Sequence, residues 1–255
     1  MKLFTNKNFC DFCNKKLKNP YIPINTKRNI KTFLCKKCLL VQSLPQRKFK
    51  SHPKPSMSID ADRSSIMYTK TRFLPTHIQI FKKYKINIKS FQNILDVGSN
   101  RGAFVDYVRK ENKKNHITAI ESKKGIFHIK KYENIKYINS RFEEANLNYG
   151  YYDFVYCVHT LEHFTSCKHA LKKIFKSLEF GGKAFIVVPN LNFYSKDDFT
   201  EYFIDTHTYH FTNNVLVRFF NSVGFKIIFK IEKNDLTFYI EKTSDKNFRK
   251  KNKKF

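Results

Sequence analysis

The chain has 255 residues, and its 49 Lys and Arg against 21 Asp and Glu give a formal net charge of +28. No apolar run reaches the eighteen or so residues that cross a bilayer, which excludes a transmembrane helix. So basic a chain admits an RNA or DNA partner. Yet Lys, Asn, Ile and Phe are all abundant and Trp is absent, the mark of a codon bias that raises Lys throughout. The basic residues are scattered except in the run Arg249 to Lys254, which reads as a solvated tail.

From the N-terminus, Met1 to Lys7 leads straight into polar sequence with no secretory signal, so a reducing cytoplasm is expected. Cys10-Asp11-Phe12-Cys13 and Cys35-Lys36-Lys37-Cys38 are two CxxC pairs separated by 21 residues, close to a zinc-ribbon spacing. Each pair can present two thiolates to one tetrahedral ion, and the segment is too small to fold around an apolar core of its own. Two disulfides or an iron–sulfur cluster are the alternatives, and the reducing compartment favours metal. Asn14 and Leu39 stand where zinc knuckles commonly have Gly. Cys157 and Cys167 are unpaired by spacing, and Cys157 reads as a small buried apolar residue.

Residues 44–65, with Pro45, Pro53 and Pro55, read as a linker after a zinc-ribbon module at 1–43. Residues 66–90 read as a connector whose helix, Ile66 to Tyr84, is interrupted near Pro75 and is placed to lid a cofactor site. Next, Ile94 to Val97 is an apolar strand that turns through Gly98-Ser99-Asn100-Arg101-Gly102 into an amphipathic helix. A buried parallel strand ending in such a turn sets backbone N–H groups and a helix N-terminus at the carboxyl edge of a sheet. Gly98 and Gly102 suit the tight geometry, and Asn100 tolerates positive φ. The spacing departs from the dinucleotide fingerprint. A second strand, His116 to Ile120, ends in Glu121, about twenty residues on, where a carboxylate can accept hydrogen bonds from both ribose hydroxyls. The plain alternative for Glu121 is a solvated helix cap.

Ile135 to Asn139 reads as a third strand, Tyr152 to Phe164 as a fourth strand with the Leu161-Glu162-His163 segment after it, and Lys168 to Leu178 as a helix. Glu179 to Lys183 reads as a helix stop before a buried strand, Ala184 to Val188. Asn213 to Val223 is a helix stopped by Gly224, and Phe225 to Glu232 with Leu236 to Glu241 forms an antiparallel pair.

The stretch Leu95-Asp96-Val97-Gly98-Ser99-Asn100-Arg101-Gly102 resembles motif I of the class I S-adenosylmethionine-dependent methyltransferases, with Asn100 for the middle Gly. The resemblance continues in order through His159-Thr160-Leu161-Glu162-His163-Phe164, Leu178-Glu179-Phe180-Gly181-Gly182 and His207-Thr208-Tyr209-His210-Phe211-Thr212. It covers residues 91–242, leaving 243–255 as the basic tail. It implies a Rossmann-like doubly wound sheet, mostly parallel with an antiparallel last strand, and S-adenosylmethionine as cofactor. It further implies that Gly98, Asn100 and Gly102 approach the methionine moiety, that Asp96 holds its amino group and that Glu121 binds ribose. His159 is added to these contacts, and Phe142 packs against adenine where Arg141 replaces the usual acidic residue. His163, His207 and His210 fall near the carboxyl edge as candidate bases, His207 and His210 foremost, with Tyr209 and Glu162 orienting substrate.

With Cys10, Cys13, Cys35 and Cys38 holding a structural zinc, the chain resembles the zinc-containing sugar methyltransferases of deoxysugar and surface-polysaccharide pathways. That implies a small-molecule acceptor, a sugar or nucleotide-sugar. An RNA methyltransferase using the ribbon and the basic surface is the competing reading. Against it, the Asn/Asp-Pro-Pro-aromatic turn of base-nitrogen enzymes is replaced by His159-Thr160-Leu161-Glu162, and Cys157 falls inside a strand. A catalytically empty scaffold would have no use for Asp96 and Glu121.

Overall fold

The computed structural model describes residues 8–22, 30–44, 73–122, 132–193, 203 and 206–243. Of the linker expected at 44–65, Leu44 ends a strand and residues 45–65 lie outside those residues, as do the start of the helix expected from Ile66 and the tail beyond 243.

A short antiparallel pair opens the described chain, β1 (Lys31–Leu34) and β2 (Val41–Leu44). Helix α1 (Leu74–Lys83) has Pro75 in its first turn, where the missing N–H would have no intrahelical partner anyway. Pro75 therefore sits in the first turn of this helix, and the residues expected to precede it in the helix, 66–72, lie outside the described ones. There follow β3 (Asn93–Val97), α2 (Ala103–Glu111), β4 (His116–Ile120), β5 (Ile135–Ile138), β6 (Tyr152–Val158), α3 (Cys167–Ser177), β7 (Leu178–Pro189), β8 (Tyr209–His210), α4 (Asn213–Val223), β9 (Phe225–Glu232) and β10 (Asp235–Lys242).

Seven strands form one sheet in the order β5-β4-β3-β6-β7-β10-β9. The first five run parallel, and β10 enters antiparallel between β7 and β9. This is the doubly wound sheet with an antiparallel last strand that the sequence predicts. The chain winds outward from β3 through β4 to β5 and then crosses to β6 on the other side of β3. The carboxyl ends of β3 and β6 therefore flank a crevice at the reversal point, where open α/β sheets bind their ligands. Because β10 is antiparallel, it is its first residue, Asp235, that reaches this edge, opposite Pro189.

Both faces of the sheet are covered, which is why its central strands read as continuous apolar runs. Ile94, Phe154, Tyr156 and Phe185 pack under α1 and α2, with Phe81 of α1 set edge-on to Phe154 and Phe185. Leu95, Val155, Cys157 and Ile186 pack under α3 and α4. Gly224 closes α4 in the left-handed conformation, its N–H bonded to the Phe220 carbonyl. The segment expected to stop α3 is instead strand. β7 starts at Leu178 directly after the helix, and its register against β6 slips between Tyr152 and Phe154. Gly181, with φ of 76°, takes up that irregularity inside the strand and not at a helix cap.

The cysteine-bearing segment is continuous with this body. β8 pairs with β2, Val41 opposite His210, to make a three-stranded sheet β1-β2-β8. Asp11, between two of the cysteines, accepts from Ser166 Oγ at 2.6 Å and from the Lys168 N–H at 3.0 Å, an acid at the positive end of α3. Phe12 meets Phe219 of α4 edge-on with ring centroids 4.7 Å apart. No helix among the described residues is long and apolar enough to cross a membrane.

Candidate active site

At the end of β3 the turn into α2 has φ of 75° at Gly98, 48° at Asn100 and 77° at Gly102, the left-handed region open to Gly and tolerated by Asn. Its amides are engaged internally. Gly98 and Ser99 donate to the Ile120 carbonyl at 2.9 Å each, Asn100 to Glu121 Oε2 at 2.9 Å, and Gly102 to the Ser99 carbonyl at 2.8 Å. The turn therefore offers a ligand close approach of the backbone, while the donors at this edge are the first-turn amides of α2, which lack partners within the helix.

Beside the turn, Asp96 is 2% exposed and its Oδ2 accepts no hydrogen bond. Burial, and then the charge of Glu121, push its pKa well above the usual carboxylate range. A buried carboxylate oxygen with no donor is costly, and a cationic amine is the kind of group that relieves it. Glu121 follows β4 at the same edge. Asp96, Glu121 and the cleared turn thus fit a ligand with an ammonium group and a vicinal diol, as S-adenosylmethionine has. Glu121→Ala is expected to weaken S-adenosylhomocysteine binding by an order of magnitude or more, read by calorimetry, while the fold stays intact, the Asn100 N–H bond to that carboxylate being an exposed one. Unchanged affinity would mean that the ribose lies elsewhere.

Phe142, expected against adenine, is 3% exposed and packs on Phe164 at 5.5 Å, with Lys173 Nζ 5.2 Å from its centroid. That is an interior position. Arg141 is ion-paired with Glu143 at 3.0 Å. Cys157 is fully buried within β6, and burial, with Glu162 and Asp96 nearby, holds its thiol well above the usual range. It has none of the character of a nucleophile.

The other side of the crevice is built by residues 159–163 after β6 and by the segment before β8. His159, with φ of 46°, carries strain of a kind concentrated at functional positions. Its Nε2 lies 3.4 Å from Asp235 Oδ2 and its Nδ1 3.8 Å from Glu162 Oε1. Burial pulls its pKa down, but Asp235 and Glu162 outweigh burial and hold it above the usual value. Glu162 is 1% exposed, and neither of its carboxylate oxygens accepts a hydrogen bond. His163 Nδ1 donates to the Thr206 carbonyl at 2.9 Å, which turns Nε2 toward Glu162 Oε1 at 3.7 Å. The His163 and His207 rings are 5.0 Å apart.

The structure brings His159, Glu162, His163, His207 and Asp235 together, while His210, its ring 6.4 Å from that of His207, is turned into the interior. His210 is fully buried in β8, its Nε2 bonded to Ser43 Oγ at 2.8 Å, and burial lowers its pKa to about 3. Burial and the neighbouring imidazoles take His207 to about 2. Bases whose conjugate acids are so strong hold a proton poorly near neutral pH, so neither has the property for which the sequence nominated it. Two residues were missed by sequence reading. Asp235 looked like part of a hairpin turn, and only the antiparallel entry of β10 brings it to His159. His77 of α1 pairs with Tyr156 of β6, Nδ1 to OH at 2.7 Å, and a lone His in an apolar helix stripe was the signal for it.

At the N-terminal segment, Cys10 and Cys38 Sγ are 3.3 Å apart and Cys13 and Cys35 Sγ 3.5 Å apart, too far for disulfides. All four sulfurs lie within 4.8 Å of one another. Four thiolates about 2.3 Å from a tetrahedral ion would be about 3.8 Å apart, so the donor set and spacing fit zinc. Asn14 and Leu39 take the positive φ, 57° and 64°, that Gly would have supplied in each knuckle.

The topology and the reversal-point edge beside Asp96 and Glu121 are those of a doubly wound, ligand-binding α/β sheet. The sequence pattern of the methyltransferase domain family matches residues 60–229. The chain belongs to that family and is an S-adenosylmethionine-dependent methyltransferase. It is similar in fold to the S-adenosylmethionine dependent methyltransferase from Mesorhizobium loti (TM-score 0.56, 11% identity, 64% of this chain and 96% of that one). The plantazolicin methyltransferase BpumL in complex with SAH is similar at TM-score 0.56 and 16% identity, over 73% of this chain and 89% of that one. Human N-acetylserotonin methyltransferase in complex with SAM has TM-score 0.56 and 14% identity, over 73% of this chain and 57% of that one. No curated protein matches the chain in sequence.

Proposed function

We propose that the methyl acceptor is a small hydroxylated molecule, a sugar or nucleotide-sugar of surface-polysaccharide or related biosynthesis, modified in the cytoplasm on oxygen or on a carbon beside a carbonyl. The observation that carries this is the lining of the acceptor side. His159, Asp235, Glu162 and His163 are imidazoles and carboxylates, groups that bind and deprotonate hydroxyls. The net charge of +28 favours the second reading, an RNA acceptor held outside the crevice.

In this reading Asp96 binds the cofactor's amino group and Glu121 its ribose. S-adenosylmethionine, when bound, supplies an electrophilic methyl on a sulfonium. His159 takes the acceptor proton, and Asp235 orients the imidazole and stabilises its charged form. The turn and α2 align donor with acceptor, which is the main source of rate in a direct displacement. Cys10, Cys13, Cys35 and Cys38 hold a structural zinc.

Purified protein with labelled S-adenosylmethionine would be offered nucleotide-sugars and bulk RNA. Transfer to a nucleotide-sugar that changes little between about 50 and 200 mM salt is expected. Transfer to RNA that falls by orders of magnitude over the same range would overturn the sugar assignment.

A further inference from the structure

The geometry points to a second metal site, formed by Glu162, His163 and His207 beside the crevice, that binds a divalent transition-metal ion. One ligand atom from each residue lies within 4.8 Å of the other two. Glu162 is the independent witness. Its side chain is 1% exposed, both oxygens are buried without a hydrogen bond, and the nearest imidazole nitrogens are at 3.7 and 3.8 Å, beyond hydrogen-bonding reach. A buried carboxylate left so is unfavourable unless something cationic completes it.

His163 is already oriented as a ligand. Its Nδ1–H is committed to the Thr206 carbonyl, the usual second partner of a metal-bound imidazole, which leaves the Nε2 lone pair facing the carboxylate. The Thr208 N–H, bonded to the Glu162 carbonyl at 2.8 Å, ties the segment that carries His207 to the one that carries Glu162 and His163. Ligands about 2.0–2.2 Å from an ion sit roughly 3 Å apart, so modest side-chain rotation closes the present spacing. Two imidazoles and one carboxylate select zinc, iron, cobalt or manganese over magnesium, and three protein ligands leave coordination positions open.

This site deepens the acceptor reading and rests on it for its role. An acceptor oxygen filling an open position would lose its proton more readily. That proton passes to His159, the new O–C bond forms as the S–C bond breaks, and the sulfonium leaves as a neutral thioether.

The test is metal stoichiometry on the full chain. Protein dialysed against Co2+ would be analysed for zinc plus cobalt, with S-adenosylhomocysteine affinity measured on the same samples. Two metal ions per chain are expected in the wild type, the second without a sulfur-to-cobalt charge-transfer band. Glu162→Gln and His207→Ala should each retain one ion and keep S-adenosylhomocysteine affinity within about twofold. One ion per chain in the wild type overturns the proposal. So do two ions in both variants, since the second would then bind elsewhere. If one variant fails to fold, shown by lost S-adenosylhomocysteine binding, the other and the wild-type count still decide. Two ions without S-adenosylhomocysteine binding in the wild type would instead sink the cofactor-site reading and leave the metal site standing.

Discussion

A chain carrying Cys10→Ser and Cys13→Ser is expected to lose its bound zinc and to melt roughly 10–20 °C lower. The estimate takes about 5 kcal/mol of lost metal-coupled folding energy and about 2–4 °C per kcal/mol for a chain of this size. The expected effect is large because such an ion would not be peripheral. Four thiolates on one ion would clamp residues 8–22 and 30–44 together, and that segment supplies the Asp11 cap of α3, the β2 partner of β8 and the Ser43 hydroxyl on His210. The Ser43 N–H also bonds the Thr208 carbonyl at 2.8 Å, one residue from His207. Loosening the module should therefore reach the acceptor side first. Asp96 and Glu121 belong to β3 and the turn after β4, whose strands pair with one another and not with β1, β2 or β8, so S-adenosylhomocysteine affinity should survive while methyl transfer falls. Metal analysis, a melting curve and calorimetry on one preparation check this. Retained zinc with an unchanged melting temperature would refute the four-cysteine site.

Gly98→Ala is expected to destabilise the fold by about 2–4 kcal/mol and to remove measurable cofactor binding. Two causes add. The residue has φ of +75°, a conformation costing a residue with a Cβ about 1 kcal/mol or more. The new methyl would also lie 2.2 Å from Thr160 Oγ1 and 3.0 Å from Thr160 Cβ. Thr is β-branched and stiff, and this hydroxyl is already held on the Val158 carbonyl at 2.9 Å, so it cannot swing aside cheaply. Relief requires β3 and β6 to part at the crevice. Thr160→Ala in the Gly98→Ala background should recover the steric share but not the backbone share, a coupling of about 1–2 kcal/mol in a denaturation cycle. Full additivity would show that the two residues do not meet.

Most of the fold was legible locally. Helix α4 falls where its apolar spacing and Gly224 place it, and β3, β4 and β6 announce themselves as apolar runs ending in Gly98, Glu121 and His159. The errors are equally local in origin. Gly181 reads as part of a helix stop, but a Gly in an irregular strand serves that strand in place of ending a helix. The histidines show the limit of motif reading. His207 and His210 are three residues apart in one segment, yet one reaches the crevice and the other lies fully buried against Ser43.

By itself the sequence determined the order of strands and helices, the turn after β3, the acidic residues at the end of β3 and after β4, and the two pairs of thiols that meet in one cluster, because each is written in residue type and short-range spacing. Only the tertiary structure decided that Asp235 partners His159, that Glu162 stands buried beside two imidazoles and that the cysteine segment braces the acceptor side. Those contacts join residues far apart in the chain, and pairing strands and packing faces bring them together, neither of which leaves a local periodic signal.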